Sequence, residues 1–232
     1  MIRFLQFYSL LILSTFYYYG LGLMMFLFKP TDEVTHWTAS SWGKFNLKQA
    51  GVKLHIIGEE NLSKTPAIFV VNHQSMLDLF IMCYLLPFKS LAVAKKSMRY
   101  YPLLGFFMNL AGVVFVDRRH KERAIEGMRE AKRIVERGYS LAIAPEGTRT
   151  ITGELQPLKK GAFHLAIQTK LPMVPITIKN AYSLFPRNHW IPKEGTVDIF
   201  IDAPVKTSNW TIETIPQAIA QIRSIFLSHL EK

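Results

Sequence analysis

From residue 52 to residue 230, short apolar runs alternate with helical patterns, and this alternation limits the fold more than any other feature of the chain. Strands are expected at 52–57, 67–71, 91–94, 113–116, 141–144, 173–178 and 197–201, and helices at 75–86, 101–111, 119–137, 162–170 and 212–230. A strand followed by a helix and another strand must cross over, which favours parallel neighbours. The pattern predicts an α/β fold with a mostly parallel central sheet flanked by helices. In such sheets ligands gather beyond the carboxyl ends of the strands, so chemistry is sought in the segments directly after them. Helix 119–137 carries Ala124, Met128, Ala131 and Val135 as an apolar stripe opposite a charged, solvated face.

Ahead of this pattern, residues 4–28 contain no charged side chain and are bounded by Arg3 and Lys29. As a helix at ~1.5 Å per residue this stretch is about 37 Å long, enough to cross a bilayer or to lie in one leaflet. It exceeds the ~7–15 residues of a signal-peptide core, and no clear small-residue cleavage site follows. The cluster Phe16, Tyr17, Tyr18, Tyr19 is unusual for the middle of a span, because phenols prefer an interface. A second helix is expected over 31–50, ended by Gly51. Its Trp37, Trp42 and Phe45 beside Lys44 and Lys48 suit either a membrane interface or packing on the core. The chain thus divides into N-terminal anchoring helices, 1–51, and an α/β domain, 52–232.

Two bulk properties agree with an anionic membrane surface: 49% hydrophobic residues and a formal charge of +11. Nucleic-acid binding would explain the charge but not the apolar N-terminus, and no signature for it is present. Cys83 is the single cysteine, so neither an internal disulfide nor a multi-cysteine metal site can form, and its apolar setting reads as a buried thiol.

Three segments after expected strands carry groups suited to chemistry. In the first, His73 and Asp78 straddle a strand-to-helix turn that can bring imidazole and carboxylate together; a carboxylate on one ring nitrogen fixes the tautomer and stabilises the imidazolium. The same residues also read as a helix start, with Ser75 as N-cap and Asp78 favoured by the helix dipole. In the second, Ala144-Pro145-Glu146-Gly147-Thr148-Arg149 fits a type I turn with exposed Glu146 and Arg149, or an anion site in which Gly147 admits a ligand and Arg149 grips a phosphate. The third brings Arg118 to the end of strand 113–116, and Lys159 and Lys160 precede a further helix.

Taken in order, Asn72-His73 to Asp78, then Lys96 to Gly105 with Phe115 to Arg118, then Pro145 to Arg149, then Leu171 to Ile178, the chain resembles the glycerolipid acyltransferase family, above all the 1-acylglycerol-3-phosphate acyltransferases. Ala144 stands where that family often has Phe. The resemblance implies direct acyl transfer from acyl-CoA or acyl carrier protein to the sn-2 hydroxyl of lysophosphatidic acid, giving phosphatidic acid. It implies His73 as base, Asp78 as its orienting partner, and Arg118, Glu146, Gly147, Thr148 and Arg149 around the acceptor. It also implies no resident cofactor or metal, a membrane phospholipid surface and no nucleic acid as partners, and an active site on the cytoplasmic face, of the inner membrane if the source is bacterial. Another lysolipid or glycerol 3-phosphate as acceptor, and a non-catalytic anionic-lipid-binding protein, are the competing readings.

Overall fold

The computed structural model describes residues 2–62, 66–101, 104–117 and 121–231. In chain order these form α1 (Ile2–Met25), α2 (Thr31–Gln49), β1 (Val52–Ile57), β2 (Ile68–Val71), α3 (Leu77–Leu85), β3 (Ser90–Lys95), α4 (Leu104–Leu110), β4 (Val114–Val116), α5 (Lys121–Glu136), β5 (Ser140–Ile143), α6 (Gly161–Thr169), β6 (Met173–Lys179), α7 (Ala181–Leu184), β7 (Gly195–Ile201) and α8 (Ile215–Leu230).

The strands join into one sheet in the order β1-β7-β6-β2-β5-β3-β4. Every neighbouring pair is parallel except β6 and β7. Parallel neighbours need a crossover, whereas β6 and β7 are linked by the single turn of α7 and a loop, so the chain returns antiparallel. The central strands β2 and β5 are buried at every position, as a sheet covered on both faces requires. Alternate residues serve opposite layers. Phe69, Val71, Val174 and Ile176 face α1, α2 and α3, while Ile68, Val70, Leu141 and Ile143 face α5, α6 and α8. β1 alternates, with Lys53, His55 and Ile57 on the exposed side and Val52, Leu54 and Ile56 on the covered one.

α1 and α2 belong to the first layer. Phe7, Trp42 and Leu47 are buried in the same apolar core as β2 and β6. Two polar ties fix their register: Trp42 Nε1 donates to Thr15 Oγ1 at 3.0 Å, and Asn46 Nδ2 donates to Ser14 Oγ at 3.3 Å. The aromatic cluster at 16–19 divides according to the ~100° step of a helix. Tyr18 packs on Trp37 and Phe45, and Tyr19 on Trp42 and Phe107, while Phe16 and Tyr17 point outward. Trp42 therefore belongs to the core, and Trp37 stays at its margin. α1 is the one described helix long and apolar enough to cross a membrane.

Several helix starts differ from expectation, and two of the shifts are explained by side-chain hydrogen bonds. α3 begins at Leu77 rather than Ser75; Ser75 stays in the turn, where its hydroxyl donates to Phe185 O at 2.8 Å and accepts the first helical amide, Leu77 N, at 3.2 Å. α8 begins at Ile215 rather than 212, because Thr214 Oγ1 exchanges hydrogen bonds with the Thr211 backbone and holds a turn there. In α5, Ala131 and Val135 are buried as the stripe predicts.

α2 meets α3 with almost no side chain between them. A Cβ on Gly43 would lie 2.5 Å from Phe80 O and 2.9 Å from Tyr84 N, both backbone atoms. Gly43→Ala should therefore cost about 1–3 kcal/mol despite its better helix propensity. At roughly 2–4 °C per kcal/mol for a chain of this size, thermal unfolding followed by circular dichroism should fall by several degrees. Gly20→Ala, where a Cβ meets nothing within 4 Å, should leave the midpoint unchanged or slightly higher. Equal midpoints for the two variants would contradict this packing.

Candidate active site

The site forms where β2 ends. Asn72, buried, replaces the next rung of the ladder with its side chain: Nδ2 donates to Ile178 O at 2.8 Å and Oδ1 accepts from Ile178 N at 2.7 Å. The chain then leaves the sheet and turns into α3. Asp78, in the first turn of α3 and 3% exposed, points back into that turn. Its Oδ2 accepts three donors, His73 Nδ1 at 2.7 Å, Gln74 N at 2.7 Å and Ser75 N at 2.9 Å. The carboxylate thus fixes the backbone loop and the imidazole together. His73 stays about one-third exposed, with Nε2 left to face outward. An imidazole held this way can take a proton at Nε2 while Asp78 stabilises the cation at Nδ1.

The backbone of His73 is pinned as firmly as its ring. Its N–H donates to Glu146 Oε1, and its carbonyl accepts from Thr150 N at 2.9 Å. Residues 144–147 form the expected turn, closed by Gly147 N to Ala144 O at 3.0 Å, with Gly147 at φ 75°. Glu146 does not lie on the surface of that turn. It is buried, and its second oxygen accepts Gln156 N at 2.8 Å, so the carboxylate ties the loop after β5 to the loop after β2. Gln74 Nε2 adds a bond to Gly153 O at 3.3 Å, and Arg223 of α8 holds the outer strand of the brace through Leu155 O and Gln156 O. The parts played by Asn72 and Gln156 lie in a side-chain imitation of a β-ladder and in a main-chain amide, and neither has a sequence signature.

Thr148 is exposed and Arg149 half-buried. Arg149 precedes the residue that donates to His73 O, so the turn delivers it beside the histidine. It makes no ion pair among the described residues, which leaves its guanidinium available to an anion. Arg118 lies outside the described residues. β4, which precedes it, ends three strand spacings from β2, roughly 14 Å along the same rim. Lys96 and Asp117, at the ends of β3 and β4, line a polar recess with Arg99, Asn109 and Glu130. Lys159 and Lys160 are exposed ahead of α6. Cys83 packs against α2, and burial pushes its thiol up to about 12, which makes a thiolate scarce at neutral pH.

The sequence model of the family described as Acyltransferase matches residues 53–179, from β1 to the last residue of β6. The chain belongs to the acyltransferase family. Curated relatives include the 1-acyl-sn-glycerol-3-phosphate acyltransferases of Saccharomyces cerevisiae, 37% identical over 185 residues that make up 78% of this chain and 61% of the relative, and of Cocos nucifera, 36% identical over 78% of this chain and 58% of the relative. The human beta form is 33% identical over 72% of this chain and 62% of its own length. The matches therefore span less than two-thirds of the length of these relatives. Among solved structures, the 1-acyl-sn-glycerophosphate acyltransferase PlsC from Thermotoga maritima has the same fold, with a TM-score of 0.86 over 99% of this chain and 94% of that one at 24% identity. The shared fold of this acyltransferase-family chain thus includes α1 and α2.

Burial raises the Glu146 carboxyl from its ordinary 4.5 to about 7, against the lowering pull of the two backbone amides it accepts and of His73. Between those values the native state holds a proton that the unfolded chain has released. Stability therefore falls as pH rises through this window, by about 3 kcal/mol, and levels off above it. Glu146→Gln should remove that slope. Guanidinium unfolding of both proteins at about pH 5 and about pH 7.5 measures it, and equal pH dependence in the two would contradict a buried, titrating Glu146.

Proposed function

We propose that this chain transfers a fatty acyl group from a thioester donor to the sn-2 hydroxyl of lysophosphatidic acid, forming phosphatidic acid. The observation that carries the reading is the His73–Asp78 pair, joined at 2.7 Å and braced at the end of the central strand, in a chain of the acyltransferase family. The acceptor follows from the names of the relatives and from Arg149, which has no ion pair among the described residues and directly precedes the Thr150 amide bonded to His73 O.

In this reaction His73 Nε2 removes the proton of the acceptor hydroxyl as its oxygen attacks the thioester carbonyl. The imidazolium is stabilised by Asp78, the C–S bond breaks, and the proton passes from His73 to the departing thiolate. The acyl group moves directly to the acceptor, so Cys83 and Ser75 need not act as nucleophiles. Arg149 and Arg118 hold the acceptor phosphate, with the exposed Thr148 next to Arg149 in the chain and Gly147 allowing close approach. Glu146 contributes from behind, by holding the His73 backbone. The thioester is a co-substrate, acyl-CoA or acyl carrier protein, and no resident cofactor or metal is required. The donor's cytoplasmic origin places the active site on the cytoplasmic face of the membrane.

Residues 1–51 serve as the anchor of the 52–232 acyltransferase domain, and α1 lies in one leaflet rather than across the bilayer. It touches the domain near both ends, through Arg3 to Glu194 at 2.7 Å and through Tyr19 against Phe107, ring centroids 4.2 Å apart. A helix held along its whole length could not run perpendicular to the membrane without drawing the polar sheet edge into hydrocarbon. Its outward stripe, including Leu5, Ile12, Leu13, Phe16 and Leu23 and continued past the helix end by Leu27, is the face that would enter the leaflet.

Purified protein with labelled acyl-CoA, or acyl carrier protein if that fails, tests the assignment against an acceptor panel. Transfer is expected to lysophosphatidic acid and not to glycerol 3-phosphate or a lysolipid without a phosphomonoester; preference for either of these would overturn the acceptor. Arg149→Ala should raise KM for lysophosphatidic acid at least tenfold, the loss of a charge-assisted contact of about 1.5–3 kcal/mol. An unchanged KM would remove Arg149 from the acceptor site.

A further inference from the structure

The loop 185–194, between α7 and β7, takes no part in the chemistry above, yet it is built as a rigid projection. Lys193 N donates to Leu184 O at 2.8 Å and closes the loop at its base, and His189 N donates to Pro186 O at 3.0 Å within it. Pro186 and Pro192 stiffen its two ends. Phe185 is 3% exposed and meets the ring of Phe7 on α1 edge-on at 6.1 Å. Trp190 is the opposite case, standing 71% exposed at the tip.

A single exposed aromatic needs no explanation on a protein surface. Here two further observations coincide with it. Trp190 adjoins the half-buried Phe4 of α1, ring centroids 6.4 Å apart, so it stands at the Ile2 and Leu5 end of the helix that carries the outward apolar stripe. Arg187 and Lys193 are exposed and have no ion pair among the described residues, while the nearby Glu194 is occupied by Arg3. Indole prefers the boundary between acyl chains and headgroups, and free Lys and Arg at that level are drawn to anionic lipid. The base of the loop also reaches the active site, since Ser75 Oγ, beside the Asp78 cradle, donates to Phe185 O.

We propose that this loop is a second membrane contact, separate from α1 and α2: Trp190 enters the headgroup boundary of an anionic phospholipid bilayer while Arg187 and Lys193 engage lipid phosphates. The proposal rests on reading the outward stripe of α1 as the membrane face. Through Phe185 and Ser75 the loop sets the depth of the His73 site relative to the lipid surface.

The test uses the full chain in flotation with vesicles of phosphatidylcholine, with and without phosphatidylglycerol. Trp190→Ala should weaken partitioning to both kinds of vesicle about fivefold or more, and Arg187→Glu with Lys193→Glu should weaken it about tenfold on the anionic vesicles alone. Acyl transfer to a short-chain, water-soluble lysophosphatidic acid should be unchanged in every variant, which also shows that they fold. In Trp190→Phe, quenching of the protein's fluorescence by brominated acyl chains should drop. Wild-type binding with unaltered partitioning of both variants would overturn the loop contact and leave the α1 reading standing. So would a change of oligomeric state in Trp190→Ala without a change in partitioning, because the loop would then meet a second copy. Failure of the wild type to bind vesicles would overturn the α1 reading and the loop contact together.

Discussion

A buried carboxylate oxygen that accepts three donors organises the active end of this protein. Asp78 Oδ2 is shared by His73 Nδ1, Gln74 N and Ser75 N, so the conformation of the turn and the orientation of the ring are set by one atom. Hydrogen bonds to an ionised group are worth about 1.5–3 kcal/mol each, and burial leaves the carboxylate no competing solvent. The position is further favoured by the amino terminus of α3. Glu146 repeats the design from the neighbouring strand. It accepts the His73 amide on one oxygen and the Gln156 amide on the other, so the histidine is held from both β2 and β5. Preorganisation of this kind keeps a reactive imidazole in place without a covalent tie.

The sheet makes that arrangement possible. β2 lies between β6 and β5, and its end is therefore flanked on both sides by strands running the same way. Asn72 uses the first flank as an anchor and Glu146 arrives from the second. The helices α1 and α2 join the same body by close contact rather than by a tether, with Gly43 laid on the backbone of α3 and Trp42 bonded to Thr15. An apolar surface and the His73 loop are consequently fixed relative to each other. The proposed transfer to a lipid acceptor needs such a fixed relation.

Much of this was legible in the sequence, for reasons that can be named. Short apolar runs gave strand positions to within a residue or two because buried parallel strands tolerate nothing else, and the parallel sheet followed from the helices between them. The pairing of His73 with Asp78 was also foreseeable, since a turn of that length can close on itself. Other features were not foreseeable. Ser75 reads as a helix cap, and its Oγ does accept the Leu77 amide, but its hydroxyl also donates to Phe185 O, a contact more than a hundred residues away in sequence. Glu146 sits in a turn motif that looks solvent-exposed, and only the packing of 150–158 over it makes it a buried brace. The Phe16–Tyr19 cluster carried no information about which ring faces inward, because that depends on where α2 places Trp37 and Trp42 and where α4 places Phe107.

The central claim is that the braced imidazole is the base for acyl transfer, and the rate of transfer by His73→Ala tests it most directly. With labelled thioester and lysophosphatidic acid at saturation, the account predicts a fall to the uncatalysed background, with circular dichroism and vesicle association as in the wild type. Turnover close to wild type in that variant would contradict it.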